Sequence, residues 1–252
     1  METPQTIETK RNIFQIGDLL PGTMYTANLV LKSRTSECLV CGETRPTTLF
    51  DMCPICYRKQ QILAMPDDER EFTISQTIPS LFQSARIENL SESLQAAIKL
   101  LEVQSNGKGL FIWGSPGTGK SYALAAMSRE YILQGFIVAR VTYEMLCLKI
   151  RDSFKTNNQT ELSIIKPYLD ADKFILEDVG TTKSEGNKES DFSVRTLLVL
   201  IDYRLENCLP TFISSNRPIE ELAKTFDERI SSRLVQACKI IKLTGKDRRK
   251  EK

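Results

Sequence analysis

The run Gly114-Ser115-Pro116-Gly117-Thr118-Gly119-Lys120-Ser121 follows a short apolar stretch, Gly109 to Trp113, and leads directly into a helical pattern from Ser121 to Gln134. It matches the spacing G-x-x-x-x-G-K-[ST], and few folds can hold it. The glycines turn backbone N–H groups inward where a buried strand ends and a helix begins. In that frame the N–H groups cradle phosphates, the helix N-terminus adds positive potential, the Lys120 ammonium reaches the β- and γ-phosphates, and the Ser121 hydroxyl helps to hold Mg²⁺. All eight residues are therefore expected to line a nucleotide site, with ATP and Mg²⁺ as cofactors. A chance glycine turn is the alternative, and both the spacing and the strand-to-helix frame speak against it.

Around this loop, apolar runs alternate with helical patterns. Strands are expected at Gly109–Trp113, Phe136–Val141, Lys173–Leu176, Thr211–Ser214 and Lys239–Leu243. Helices are expected near Leu94–Leu101 and at Ser121–Gln134, Tyr143–Phe154, Val194–Leu205, Ile219–Phe226 and Ile230–Val235. Strands alternating with helices imply an α/β fold, a mostly parallel sheet covered on both faces. Upstream, Tyr57 to Arg70 reads as a short helix running into a polar linker at Pro66-Asp67-Asp68-Glu69.

With 41% hydrophobic and 26% charged residues in 252, the chain can bury a sizeable core. No apolar run approaches the ~20 residues that span a bilayer, and METPQTIETKRNIF has no signal core, so a cytoplasmic protein without a membrane partner is expected. A formal charge of +2 gives no global case for nucleic acid. The chain has no histidine. That excludes Ser-His-Asp and Cys-His catalysis, His-ligated metals and imidazole proton transfer, leaving carboxylates, Lys, Arg and metal.

A phosphate cradle needs acidic groups to position a metal and an attacking water, and Glu177-Asp178 at the end of an apolar run supplies them. Glu177, Asp178 and Ser121 are the expected magnesium ligands, although a solvated strand end is the alternative for the acids. The usual order in such a site is Asp then Glu; here the shorter side chain takes the water-activating place, which touches hydrolysis more than binding. Asn216, after Ser214-Ser215, either orients water near the γ-phosphate or belongs to the turn Asn216-Arg217-Pro218. Arg229 and Arg233 lie four apart on one helical face, suited to a neighbouring subunit's phosphate or to a salt-bridged surface.

Of seven cysteines, four form Cys38-x-x-Cys41 and Cys53-x-x-Cys56, with eleven residues between the pairs. This spacing predicts a closed, structural Zn²⁺ site of four thiolates, with redox use of the pairs as the alternative. The module is too small to fold on its own core, and its expected use is docking to a protein or nucleic acid. Cys147, Cys208 and Cys238 read as small buried hydrophobes. The basic tail from Lys246 to Lys252 either contacts phosphate or is solvated.

Taken together, the phosphate loop, Thr77 to Asn89, Leu176-Glu177-Asp178-Val179-Gly180, Ile201-Asp-Tyr-Arg204, Ser214-Ser-Asn216 and Glu228-Arg229-Ile-Ser-Ser-Arg233-Leu resemble the DnaC/IstB-type AAA+ ATPases, over about Thr73 to Arg249. The resemblance is to replicative helicase loaders carrying an N-terminal zinc module. It implies a P-loop NTPase fold without a separate lid, closed by a Gly-x-x-x-Arg ending at Gly245 to Arg249. It further implies Asn216 as sensor, Arg233 as an arginine finger acting in trans and Arg229 as its helper. Residues 1–72 would be the zinc-binding, helicase-docking module and 73–252 the ATPase domain. The implied activity is ATP-dependent loading of a hexameric replicative helicase onto single-stranded DNA, with self-assembly into a ring or spiral. The region from Thr142 to Asp170 would face DNA, with Lys149, Arg151 and Lys155 as candidates. A transposase-helper ATPase of the IstB kind and a nucleotide-switched, non-hydrolysing adaptor are the alternatives.

Overall fold

In a computed structural model, residues 31–48, 51–103, 107–154, 160–180 and 189–248 are described. The described part opens with a two-stranded antiparallel hairpin, β1 (Leu31–Glu37) and β2 (Thr44–Thr48), followed by α1 (Pro54–Ala64) and α2 (Asp67–Ser75). Two single-turn 3₁₀ segments then lead to α3 (Glu92–Val103). Apart from α6, the remainder follows the order the sequence predicts: β3 (Gly109–Trp113), α4 (Lys120–Leu133), β4 (Val138–Thr142), α5 (Tyr143–Ser153), α6 (Glu161–Asp170), β5 (Lys173–Glu177), α7 (Asp191–Glu206), β6 (Thr211–Ser215), α8 (Ile219–Thr225), α9 (Glu228–Ala237) and β7 (Cys238–Lys242).

Five strands form one wholly parallel sheet in the order β4-β5-β6-β3-β7. The inner strands β5, β6 and β3 are buried on both faces, which is why they read as nearly continuous apolar runs, while the edge strands β4 and β7 are only partly buried. Side-chain alternation divides the core. Leu110, Ile112, Val138, Ile175 and Phe212 pack with α3 and α4, while Phe111, Ala139, Val141, Phe174, Leu176 and Ile213 pack with α5 to α9.

Three expectations change. The acidic stretch after Pro66 is not a linker but the first turn of α2, where Asp67, Asp68 and Glu69 complement the helix dipole. Ile74, later in α2, is buried with Ile62 and Ile78 in the α4-side core, and this helix spans residues 72 and 73. Helix α6 is absent from the sequence reading because Pro167 interrupts its pattern; a Thr160–Ser163 capping box starts it. Cys208 is exposed, in a left-handed turn (φ 53°) after α7, whereas Cys147 and Cys238 are buried.

Arg204 lies at the bottom of the larger core, fully buried. Its guanidinium donates to the carbonyls of Tyr168, Leu169 and Ala171 at the end of α6, to Pro210 O and to Thr211 Oγ1, and it stacks over Phe174 at 5.4 Å. Burial pulls its pKa down to about 9, so it stays charged at neutral pH. It joins α6, α7 and the start of β6. Arg204→Met should lower stability by about 3–5 kcal/mol, because these carbonyls lose their donor in a dry interior; equilibrium denaturation in urea measures the change.

Candidate nucleotide site and cysteine cluster

A parallel sheet puts every strand's carboxyl end on one edge, and ligands of such sheets bind there. The phosphate loop leaves β3 at that edge and enters α4 through Gly119, whose φ of 97° is one that a side chain would strain. Within the loop, Thr118 Oγ1 donates to Ser115 O at 2.8 Å, and the buried Lys120 Nζ donates to Gly114 O at 2.7 Å and Ser115 O at 2.9 Å. Gly114 N–H donates across to Ser215 O, tying the loop to the end of β6.

Glu177 is the last residue of β5 and is 6% exposed. Asp178 follows with φ 58°, a conformation sparsely used by non-glycine residues. The end of β6 holds that turn: Asp178 N–H donates to Ser214 Oγ at 3.1 Å, Val179 N–H to Ser214 O, and Ser215 Oγ to Val179 O. Asn216 comes next, half-buried after β6, which separates β5 from β3. The fold thus sets the acids, Asn216 and the loop at ends of neighbouring strands. Mg²⁺ characteristically takes one or two carboxylates together with phosphate oxygens and water. Ser121, Glu177 and Asp178 offer donors of that kind, but one Glu177 oxygen already accepts from Arg140 Nε at 2.7 Å. Arg140 on β4 was not singled out from the sequence. An arginine inside an otherwise apolar strand was the available signal.

Beyond β7 the chain returns to the loop. Leu243 N–H donates to Trp113 O and Arg248 N–H to Gly117 O. A methyl group at Gly117 would fall 1.7 Å from an Asp247 carboxylate oxygen, and one at Gly119 would lie 3.8 Å from Arg248 Nη1. Asp247 and Arg248 therefore lie along the phosphate loop. Arg249 is outside the described residues.

Arg229 and Arg233 project from α9. Arg229 is paired with Asp227, which also caps the helix, and Arg233 with Asp202 of α7 at 2.7 Å. Both arginines are exposed. Lys149 donates to Tyr168 Oη, Arg151 lies over the Phe192 ring, and Lys155 falls outside the described residues.

The four cysteines converge, with all four sulfurs within 4.8 Å of one another and Cys41 and Cys53 Sγ 3.9 Å apart. Ligands on a tetrahedral Zn²⁺ at ~2.3 Å would be ~3.8 Å apart, so the spacing fits. Cys38 and Cys41 sit in the turn between β1 and β2, while Cys53 caps α1 and Cys56 lies in its first turn. Burial opposes the Cys38 thiolate, but N–H groups of Cys53, Cys41 and Val40 and the Cys41 thiol overcome it and bring the pKa down to about 6. Burial pushes Cys53 and Cys56 up, and neighbouring sulfurs add to this. A divalent cation would relieve that crowding of thiolates. Inside the body, Arg58 of α1 donates to Gly135 O and pairs with Asp172, both at 2.7 Å, and a methyl at Gly135 would strike Ile55 O at 2.4 Å.

A wholly parallel sheet with a phosphate loop after one strand and carboxylates after another defines a P-loop nucleotide-binding α/β protein. More narrowly, the chain belongs to the family of IstB-like ATP binding proteins, whose model matches residues 84–252. The replicative helicase loader DnaC of Escherichia coli K12 is 25% identical over 156 residues, covering 61% of this chain and 62% of that protein. The replicative helicase loader DnaI of Bacillus subtilis is 28% identical over 167 residues, covering 60% and 51%. This chain thus matches less than two thirds of either relative. A crystal structure of the DnaC helicase loader superposes with a TM-score of 0.55 at 20% identity, over 66% of this chain and 99% of that one. AMPPCP-bound DnaA from Aquifex aeolicus gives 0.53 at 19%, over 63% and 49%. These likenesses establish the fold.

Two outcomes are expected. Zinc content of one atom per chain, read by atomic emission, should be lost in the double variant Cys38→Ser, Cys53→Ser. Asp247→Ala should tighten ATP binding by about threefold to tenfold in calorimetry, because it removes a carboxylate from beside incoming phosphates.

Proposed function

We propose that this protein is an ATP-dependent loader of a replicative DNA helicase onto single-stranded DNA. The observation that carries the reading is the ordered set on one sheet edge: phosphate loop, Glu177-Asp178 and Asn216, in a chain whose curated relatives are named replicative helicase loaders. In this reading Gly114 to Ser121 hold ATP, and Ser121 with the two carboxylates holds Mg²⁺. Asn216 orients water, Arg233 acts on the next protomer's nucleotide, and Arg229 assists. The exposure of both arginines on α9 supports a role in trans, which requires self-assembly into a ring or spiral. Hydrolysis follows if Asp178 polarises the attacking water. The four cysteines hold a structural Zn²⁺, and residues 1–72 serve helicase docking while 73–252 carry nucleotide chemistry. Leu39 and Val40, 79% and 53% exposed on the cysteine turn, support a docking face there.

A nucleotide-switched adaptor that does not hydrolyse is the second reading, favoured by the short Asp178 in the water-activating place. A transposase-helper ATPase shares the fold and family; the loader relatives favour replication. Lys120→Ala should weaken ATP binding by about tenfold to a hundredfold, from loss of a charge-assisted contact. Arg233→Ala should retain binding but lose about 10³-fold in turnover. Turnover absent from the wild-type chain with DNA and helicase present would select the adaptor. Leu39→Asp with Val40→Asp should abolish capture of a replicative helicase while leaving ATP binding intact.

A further inference from the structure

No motif requires an arginine at position 140, yet its side chain is 5% exposed on the face of the sheet that α4 covers. Its guanidinium makes one ion pair, Nε to Glu177 Oε1 at 2.7 Å, and one long contact, Nη2 to Ser121 O at 3.4 Å. Among the described residues, the remaining terminal nitrogen, Nη1, is buried without a hydrogen-bond partner. A charged donor buried and unspent is costly, and such a state persists where a ligand brings the acceptor. The acceptor chemistry expected at this edge is phosphate oxygen, or water carried by a phosphate-bound cation. Arg140 also touches both Ser121 and Glu177, two of the three residues expected to hold Mg²⁺, and its positive charge opposes a second cation there.

Register explains why Glu rather than Asp stands at 177. Arg140 is level with Ile175 on the adjacent strand, so the carboxylate must reach back toward it. A side chain one methylene shorter would fall about 1.5 Å short. The Glu-Asp order that departs from the usual one therefore coincides with a buried partner for the longer acid.

We propose that Arg140 is a positioning residue for Glu177 that also takes over part of the divalent cation's charge balance, so that this chain binds ATP with little dependence on Mg²⁺. The inference rests on the ATP-binding reading of the same loop. Calorimetry with ATP, in EDTA and across a Mg²⁺ titration, tests it on the full chain. In the wild type, EDTA should weaken binding by no more than about threefold. Arg140→Gln should lose about tenfold in EDTA, recover with Mg²⁺, and move the Mg²⁺ midpoint about tenfold lower, as one cation stops opposing another. Arg140→Lys keeps the charge and should restore binding in EDTA, guarding against a Gln variant that fails to fold; Glu177→Gln should bind ATP in EDTA at least as well as the wild type. Wild-type binding abolished by EDTA would overturn the proposal, as would an Arg140→Gln chain of unchanged melting temperature with unchanged affinities and midpoint. If ATP fails to bind the wild type under every condition, the ATP-binding reading itself fails.

Discussion

Because the five strands run parallel, each crossover returns the chain to the same starting edge, and every strand delivers its last residue to the opposite one. This constraint assembles the site. Residues more than a hundred positions apart, such as Gly114 and Ser215, meet through a backbone hydrogen bond because β3 and β6 are neighbours in register. The placement of β6 between β3 and β5 then fixes the width of the site: the acids stand two strands from the phosphate loop, and Ser214 and Ser215 bridge the interval. Without that inserted strand the strained turn at Asp178 would lack its two hydroxyl supports.

Much of this was legible in the amino-acid order, since buried parallel strands leave short apolar runs and a phosphate loop declares its own strand and helix. All five core strands lie within about two residues of their expected places, as do the helices flanking the loop. What escaped prediction has physical causes. Pro167 breaks the periodicity of α6, and capping at Thr160 supplies the start that the pattern hides. The acids after Pro66 look like solvent-exposed linker until the helix dipole gives them a partner. Arg140 and Arg204 are the instructive cases. Both are charged residues whose burial depends on partners distant in sequence, Glu177 for one and the α6 carbonyls for the other. Periodicity cannot register such pairs, because each arginine taken alone looks like an ordinary surface residue. The contact of Asp247 and Arg248 with the phosphate loop is equally nonlocal.

The cysteine cluster spans two parts held in different ways. Cys53 and Cys56 belong to α1, whose Arg58 is anchored to Gly135 O and Asp172 in the body, whereas Cys38 and Cys41 belong to a turn outside it. Two backbone N–H groups already join the halves, Cys53 donating to Cys38 Sγ and Leu39 donating to Asp51 O. Half of the ligand set is therefore preorganised by packing that owes nothing to a metal. If the cluster takes an ion, the turn completes a site of which two thiols are already held by α1, and the entropic cost of such a closure grows only with the logarithm of loop length.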